Sequence, residues 1–216
     1  MKDRITLLVD GDYLLKRSFT AKSNHYTTNF GSVDALFNFM ISLRSLVAKT
    51  KCNKIVVAWD GENGGKMRYN LYSGYKANRK NKEWYKKTEL SDAQVRFEEE
   101  KEKSLLKQKV RIQNYLLNLF VRQINNLDTI EGDDIIAYYT KEYHTKEHII
   151  IFTNDQDILQ MVEYDGVNVY LANKKEYINK KNYFMYFQHD HRNIRLLKTF
   201  CGCDSDNIKG VAGLGE

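Results

Sequence analysis

Four short apolar runs are the clearest feature of the hydrophobic pattern. They are continuous rather than alternating, contain many β-branched residues, and cover residues 5–9, 54–59, 148–153 and 167–171. Continuous apolar runs of this length are typical of parallel strands buried on both faces. We therefore expect a central, mostly parallel sheet.

Helical periodicity occurs between these runs. After Ser32, an expected N-cap, apolar residues recur at the spacing of one helix face, at Leu36, Met40, Leu43 and Val47. Residues 135–143 predict another helix, and residues 158–162 predict a short one. Strands that alternate with helices indicate an α/β fold with helices on both faces of the sheet.

The pattern changes between the second and third predicted strands. A charged helical stretch begins at residues 98–103, and its apolar face continues through Ile112, Leu116, Leu119, Phe120 and Ile124. We expect this helical region to be an insertion covering residues 64–126. The whole chain, residues 1–216, is expected to form one domain.

Composition narrows the functional classes only partly. The formal net charge is +6, from 34 basic and 28 acidic residues, which suits a nucleic-acid partner without requiring one. Three cysteines do not provide a disulfide framework. Because no apolar run approaches about 20 residues, we expect no membrane partner and a cytoplasmic location.

Aspartates follow three of the predicted strands directly. Asp10, Asp60 and Asp155 end the first three strands, and Asp157 comes two residues later. One aspartate after a strand is a common turn former or helix N-cap. Ligands of open α/β sheets bind outside the carboxyl ends of the strands, so we expect these side chains to meet in one crevice.

Further acids add to this predicted crevice. Glu131, Asp133 and Asp134 begin a predicted helix, and Asp204 and Asp206 lie near the end of the sequence. Carboxylates gathered in one crevice repel each other, and a hard divalent cation relieves the repulsion. We expect Mg²⁺, with Mn²⁺ as a substitute. Two ions about 4 Å apart could clamp both oxygens of a phosphate displacement.

A basic and aromatic segment covers residues 66–87. It contains eight lysines and arginines and a single acid, with aromatic residues interleaved at Tyr69, Tyr72, Tyr75, Trp84 and Tyr85. Cations bind phosphates, and aromatic faces stack on bases. An acidic crevice together with this segment favours a nuclease over an enzyme of small molecules.

Six motifs resemble those of the 5′-nuclease superfamily, and they occur in the family order. They are LLVDGDYLLKRSF (7–19), VVAWDG (56–61), an arginine followed by YKANR (68–79), EGDDIIA (131–137), TNDQD (153–157) and GCDSDNIKGV (202–211). The superfamily includes flap endonucleases, the 5′→3′ exonuclease domain of bacterial DNA polymerase I, and phage ribonuclease H. The resemblance covers nearly the whole chain.

The resemblance implies a role for each motif residue. One metal ion would be held by Asp10, Asp60, Glu131 and Asp133, and a second by Asp155, Asp157 and Asp206, with Asp134 and Asp204 nearby. The residues expected to bind nucleic acid are Arg68, Tyr75, Lys76, Arg79, Lys80, Gly210, Gly213 and Gly215. The inserted helices would form an arch, from which Lys76 and Arg79 would contact the scissile phosphate and Tyr75 would stack on the terminal base.

The reaction implied by the resemblance is metal-dependent hydrolysis near 5′ ends or flaps of DNA or RNA–DNA hybrids. The enzyme is expected to be a monomer that acts during replication or repair in a bacterium or a phage-infected cell. The family has an aspartate at the position of Cys203. The resemblance therefore implies a weaker second metal site in this chain. Residues 196–216 resemble an incomplete helix–hairpin–helix element, which often binds potassium.

Three alternatives remain open at this point. A structure-specific nucleic-acid-binding protein with a degenerate nuclease site would also fit Cys203. The pair Asp10 and Asp12 is similar to the nucleophile motif of haloacid-dehalogenase phosphatases, but Leu14 stands where that family has threonine or valine. A PIN-like ribonuclease would share the aspartates at the strand ends but not the arch motif.

Overall fold

The computed structural model describes residues 4–21, 27–28, 31–78, 90–125 and 127–214. Its strands, numbered in chain order, are β1 Ile5–Asp10, β2 Thr27–Thr28, β3 Gly31–Ser32, β4 Lys54–Ala58, β5 Arg122–Ile124, β6 His148–Thr153, β7 Val167–Leu171, β8 Glu176–Ile178, β9 Gly202–Cys203 and β10 Ile208–Lys209. The central sheet has the order β5-β4-β1-β6-β7-β8. The neighbouring strands β5, β4, β1, β6 and β7 pair in parallel, and β8 pairs antiparallel to β7.

Helices cover both faces of this sheet, as expected from the sequence. They are α1 Gly11–Thr20, α2 Asp34–Thr50, α3 Lys66–Leu71, α4 Asp92–Asn118, α5 Gly132–Tyr143, α6 Tyr183–Phe187 and α7 Ile194–Cys201. The predicted α/β class with a mostly parallel sheet is confirmed. In the described part of the chain, no helix combines the length and the apolar character needed to cross a bilayer.

Two apolar cores lie on opposite faces of the sheet because alternate strand residues point to opposite sides. Leu7 and Val9 pack with Phe39 of α2 and Ile112 of α4. Leu8, between them in β1, packs in the other core, which includes residues of α5. Burial on both faces explains why the strand sequences are continuously apolar.

The start of α2 differs from the prediction. Val33 is the N-cap and provides no side-chain cap, whereas Ser32 ends β3 and pairs with Thr27. The hydroxyl of Ser32 donates to the Asp34 carboxylate at 3.1 Å. The predicted N-cap at Ser32 is wrong because this residue belongs to a short antiparallel pair.

The end of the inserted region also differs from the prediction. Helix α4 ends at Asn118, and the chain turns at Phe120, which has a φ of 56° and is 98% exposed. Ile124 then lies in β5 beside Ala58 of β4. The predicted helical face through Phe120 and Ile124 is wrong because the helix ends before Phe120, which lies in the turn, and pairing with β4 places Ile124 in the sheet.

The C-terminal region contains α7 followed by an antiparallel pair formed by β9 and β10. The helix–hairpin–helix element over residues 196–216 stays a prediction. The helix expected at residues 158–162 is a 3₁₀ helix, Gln156–Glu163. All three cysteines are free thiols, as expected.

Candidate metal and nucleic-acid site

A cavity of about 550 Å³ lies where the parallel strands end. It is lined by all seven residues predicted to bind metal, which are Asp10, Asp60, Glu131, Asp133, Asp155, Asp157 and Asp206. Asp12, Lys16, Arg68, Tyr75, Lys76 and Lys198 also line it. Parallel pairing of β1 with β4 and β6 explains why acids so far apart in sequence share one cavity.

Asp10 ends β1 and caps α1. Its carboxylate accepts hydrogen bonds from the backbone N–H of Tyr13 at 2.9 Å and from the hydroxyl of Thr153 at 3.0 Å. Burial raises the pKa of Asp10 to about 6, and the charges of Asp60 and Asp12 add to the rise. The two hydrogen bonds act in the opposite direction, so burial decides the result.

Asp12 positions the segment after β4. Its carboxylate accepts the backbone N–H of Asp60 at 2.7 Å and pairs with Lys109 of α4, also at 2.7 Å. The Asp60 carboxylate in turn accepts the backbone N–H of Gly132 at 2.7 Å, at the first residue of α5. Asp12 and Asp60 therefore connect three helices around the cavity.

Asp133 experiences the strongest electrostatic conflict among these acids. Its pKa is raised to about 8, first by burial and then by the like charges of Asp155, Asp10, Asp60 and Glu131. Burial also raises the pKa of Asp155, although a hydrogen bond from the Asp157 backbone N–H, 2.8 Å long, lowers it. The charges around Asp133 are thus mainly repulsive.

Glu131 receives three hydrogen bonds from the inserted region. The guanidinium of Arg68 and the ammonium of Lys76 each lie 2.8 Å from its carboxylate, and the Tyr75 hydroxyl donates at 3.2 Å. Arg68 also forms a bidentate pair with Asp134 at 2.7 and 2.8 Å. Asp134 itself does not line the cavity.

The base of the inserted region is joined to the C-terminal region. The backbone N–H of Lys76, which has a φ of 54°, donates to the Asp206 carbonyl at 3.0 Å. The side-chain amide of Asn207 donates to the Gly74 carbonyl at 2.8 Å. Tyr75 is only 9% exposed, so its ring is not open to stacking on a base in this conformation.

The remaining predicted site residues are not among those that line the cavity in the described part of the chain. Arg79, Lys80 and Gly215 lie outside the described residues. Asp204 is exposed, and its carbonyl accepts a hydrogen bond from the side chain of Asn78. Gly210 lies so close to the end of α7 that a Cβ there would be 2.4 Å from the Cys201 backbone, whereas Gly213 has a φ of 86° and open space around it.

Sequence reasoning missed two lysines that contact the acids, Lys109 and Lys198. Lys109 is one of many charged residues in α4, and helical periodicity does not reveal which of them faces Asp12. Lys198 lies 3.0 Å from Asp157. Only the tertiary packing of α7 identifies that contact.

The chemistry of the cavity suits a hard divalent cation because its donors are mainly carboxylate oxygens. Within the described ranges, no three histidine, cysteine or acidic side chains already stand together as a metal-binding group.

Two solved structures of phage T5 nuclease share this fold. The T5 5′-exonuclease with bound zinc has a TM-score of 0.73 and 22% identity, over 98% of this chain and 72% of that one. The T5 flap endonuclease in a complex with DNA and metal ions has a TM-score of 0.69 and 21% identity, over 98% and 71% of the two chains.

Sequence comparisons identify bacterial relatives. The 5′-3′ exonuclease of Mycoplasmopsis pulmonis is 28% identical over 225 residues, which cover 97% of this chain and 63% of the relative. DNA polymerase I of Caldicellulosiruptor bescii is 26% identical over 97% of this chain and 23% of the polymerase. The family model for the 5′-3′ exonuclease, N-terminal resolvase-like domain, matches residues 5–188. The chain therefore belongs to this family, which confirms the predicted membership of the 5′-nuclease superfamily.

Proposed function

We propose that this chain is a divalent-ion-dependent nuclease, a 5′→3′ exonuclease or flap endonuclease that hydrolyses phosphodiesters near 5′ ends. The observation that carries the proposal is the single cavity lined by seven predicted carboxylates, with Lys76 and Arg68 at the same cavity. Family membership and the exonuclease relatives support it.

We assign an ion site to Asp10, Asp60, Glu131 and Asp133, with Asp155 facing them. Mg²⁺ is the proposed ion, and Mn²⁺ is the proposed substitute. A divalent ion bound there supplies Lewis-acid polarisation of the phosphate and activation of water. The raised pKa values of Asp10 and Asp133 support the site because they indicate negative charge that a cation would offset.

The residues of the chain have separate proposed tasks. Lys76 would exchange its contact with Glu131 for the scissile phosphate and offset the charge that develops there. Arg68 would keep Glu131 and Asp134 in place. Arg79 and Lys80 remain proposed contacts to nucleic acid.

The proposed substrates are DNA or RNA–DNA hybrids with 5′ ends or flaps, cut by a monomeric cytoplasmic enzyme. The proposed duplex-binding residues are Gly210, Gly213 and Gly215, and K⁺ is the ion proposed for this segment. The DNA-bound state of the phage T5 flap endonuclease supports a DNA substrate.

The primary test measures cleavage of end-labelled 5′-flap, nicked and RNA–DNA hybrid substrates with and without Mg²⁺. Asp155→Asn should reduce turnover by about 10²-fold or more but leave substrate binding nearly unchanged, because it alters the acid cluster and not the phosphate contacts. Asp165→Asn, on an exposed acid, is the matched control. Full activity of Asp155→Asn would show that the site is misplaced. Binding without any Mg²⁺-dependent product would favour the degenerate-site alternative.

A second test separates the role of Lys76 from simple affinity. Lys76→Ala should lower the cleavage rate more than it weakens binding, because the ammonium acts on charge developing at the phosphate. Lys66→Ala, at an exposed lysine of α3, controls for loss of positive charge. Loss of affinity alone would make Lys76 a phosphate anchor.

A further inference from the structure

The cavity has two halves that differ in how their charge is balanced. On one side, the Asp10 and Asp60 carboxylates accept hydrogen bonds from neutral amides and a hydroxyl. On the other side, Asp157 has an ammonium beside it, because Lys198 Nζ lies 3.0 Å from Asp157 Oδ1. Helix α7 thus places an ammonium beside Asp157, whereas the cations of the first half, Arg68 and Lys76, contact Glu131.

The position of Lys198 is fixed by a neighbouring contact of α7. Arg195, three residues earlier and therefore on the same helix face, donates to Gln160 at 3.1 Å and pairs with Glu163 at 3.3 Å. Gln160 and Glu163 belong to the same 3₁₀ helix as Asp157. These contacts hold α7 against that helix and direct Lys198 to Asp157.

The thiol of Cys203 lies behind this half of the cavity, in contact with the lining residues Asp206, Ser205 and Lys198. Its Sγ lies 3.7 Å from Asp206 Oδ2, 3.1 Å from the Ser205 hydroxyl and 4.0 Å from Lys198 Nζ. A thiol is a poor ligand for Mg²⁺, and an ammonium a few ångströms away repels a divalent ion. The surroundings of Asp157 and Asp206 therefore fit a second Mg²⁺ poorly.

We propose that the ammonium of Lys198 takes the place of a second divalent ion, so that this chain binds one ion rather than the two expected from its sequence. The inference rests on the proposed function. The single ion belongs with Asp10, Asp60, Glu131 and Asp133, whereas Lys198 supplies a fixed charge beside Asp157.

The test counts Mn²⁺ ions bound per chain, by equilibrium dialysis and electron paramagnetic resonance, without nucleic acid. The wild-type protein should bind one ion. The double variant Lys198→Met with Cys203→Asp should bind two, because it removes the ammonium and adds a carboxylate. Magnetic coupling between the two ions of the double variant should appear in its spectrum. Lys180→Met, which removes a lysine from an exposed pair with Asp165, should still bind one.

Lys198→Met alone keeps the test valid if the double variant does not fold. In that variant, the second ion should bind at least about tenfold more tightly than in the wild-type protein, equivalent to about 1.4 kcal/mol. Two ions of similar affinity in the wild-type protein, or one ion in a folded double variant, would overturn this inference and leave the proposed function standing. No bound ion in the wild-type protein would overturn both.

Discussion

Buried carboxylates at the two ends of the parallel sheet differ in the charge of the groups around them. Glu147, which precedes β6 at the amino end, is 2% exposed. Its carboxylate is contacted by Lys54 at 2.8 Å, by the Thr6 hydroxyl at 2.6 Å and by the Tyr139 hydroxyl at 2.9 Å. Asp133, at the carboxyl end, instead has the like charges of other acids around it.

The pKa values express this difference. Burial alone would raise the pKa of Glu147, but hydrogen bonds from Lys54, Thr6 and Tyr139 outweigh it and hold the pKa at about 2. For Asp133, burial and neighbouring acids act together, and the pKa rises to about 8. The charge of Glu147 is therefore balanced by neighbouring groups of the protein, whereas Asp133 is surrounded by like charges, which is typical of a functional site.

The largest expected effect comes from Asp133→Asn. Removal of this proposed metal ligand should lower cleavage of the flap substrate by about 10³-fold, or about 4 kcal/mol in the activation barrier. In a chelator at pH 8, the same variant should be more stable to urea than the wild-type protein, by on the order of 1 kcal/mol, because repulsion is relieved.

The control for Asp133→Asn is Asp204→Asn, which removes a nearby acid that does not line the cavity. Asp204→Asn should have little effect on either the cleavage rate or the stability to urea. If Asp133→Asn destabilised the protein in chelator, Asp133 would resemble Glu147, and the contrast between the two ends of the sheet would fail.

Glu147→Gln should mainly reduce stability. The pKa of Glu147 is near 2 in the folded protein, against about 4.3 in an unfolded chain. This difference corresponds to about 3 kcal/mol of the free energy of unfolding at pH 7. We expect a loss of this order in urea unfolding, with unchanged turnover per folded molecule. Glu98→Gln, in an exposed pair with Lys101, should cost less than about 1 kcal/mol.

The stabilisation by Glu147 should also decrease as the pH falls. Because its pKa is lower in the folded protein than in the unfolded chain, its stabilisation is present above about pH 4–5 and is lost as the pH falls towards 2. The difference between wild type and Glu147→Gln should therefore shrink from pH 7 to pH 3. A constant difference would mean that packing, rather than charge, explains the loss.

The sequence predicted the carboxyl end of the sheet better than the amino end. Asp10, Asp60 and Asp155 each follow an apolar run, so strand periodicity and the ligand rule for open sheets were sufficient to place them together. Glu147 also adjoins an apolar run, but a single glutamate before a strand has no distinctive pattern. Its partners Thr6, Lys54 and Tyr139 become visible only through strand register and the packing of α5.

The inserted region shows where sequence periodicity fails. Ile112 and Leu116 of α4 are buried at helical spacing, as predicted, but the same periodicity carried on to Ile124 gave a helix where β5 forms. A three-residue strand is too short for an alternating pattern to distinguish it from a helix. Long-range pairing with β4, not local sequence, determines this strand.

The smallest expected effect concerns the link between α4 and the acids. Lys109→Met removes the ammonium 2.7 Å from Asp12, whose other oxygen holds the Asp60 backbone. We expect turnover to fall by about threefold to tenfold, or about 1 kcal/mol, because Asp60 becomes less firmly placed. Lys107→Met, at an exposed lysine two residues earlier, is the matched control. If Lys109→Met lowered stability without affecting turnover, the pair of Lys109 and Asp12 would belong with Glu147 as a structural contact, although it lies at the carboxyl end of the sheet.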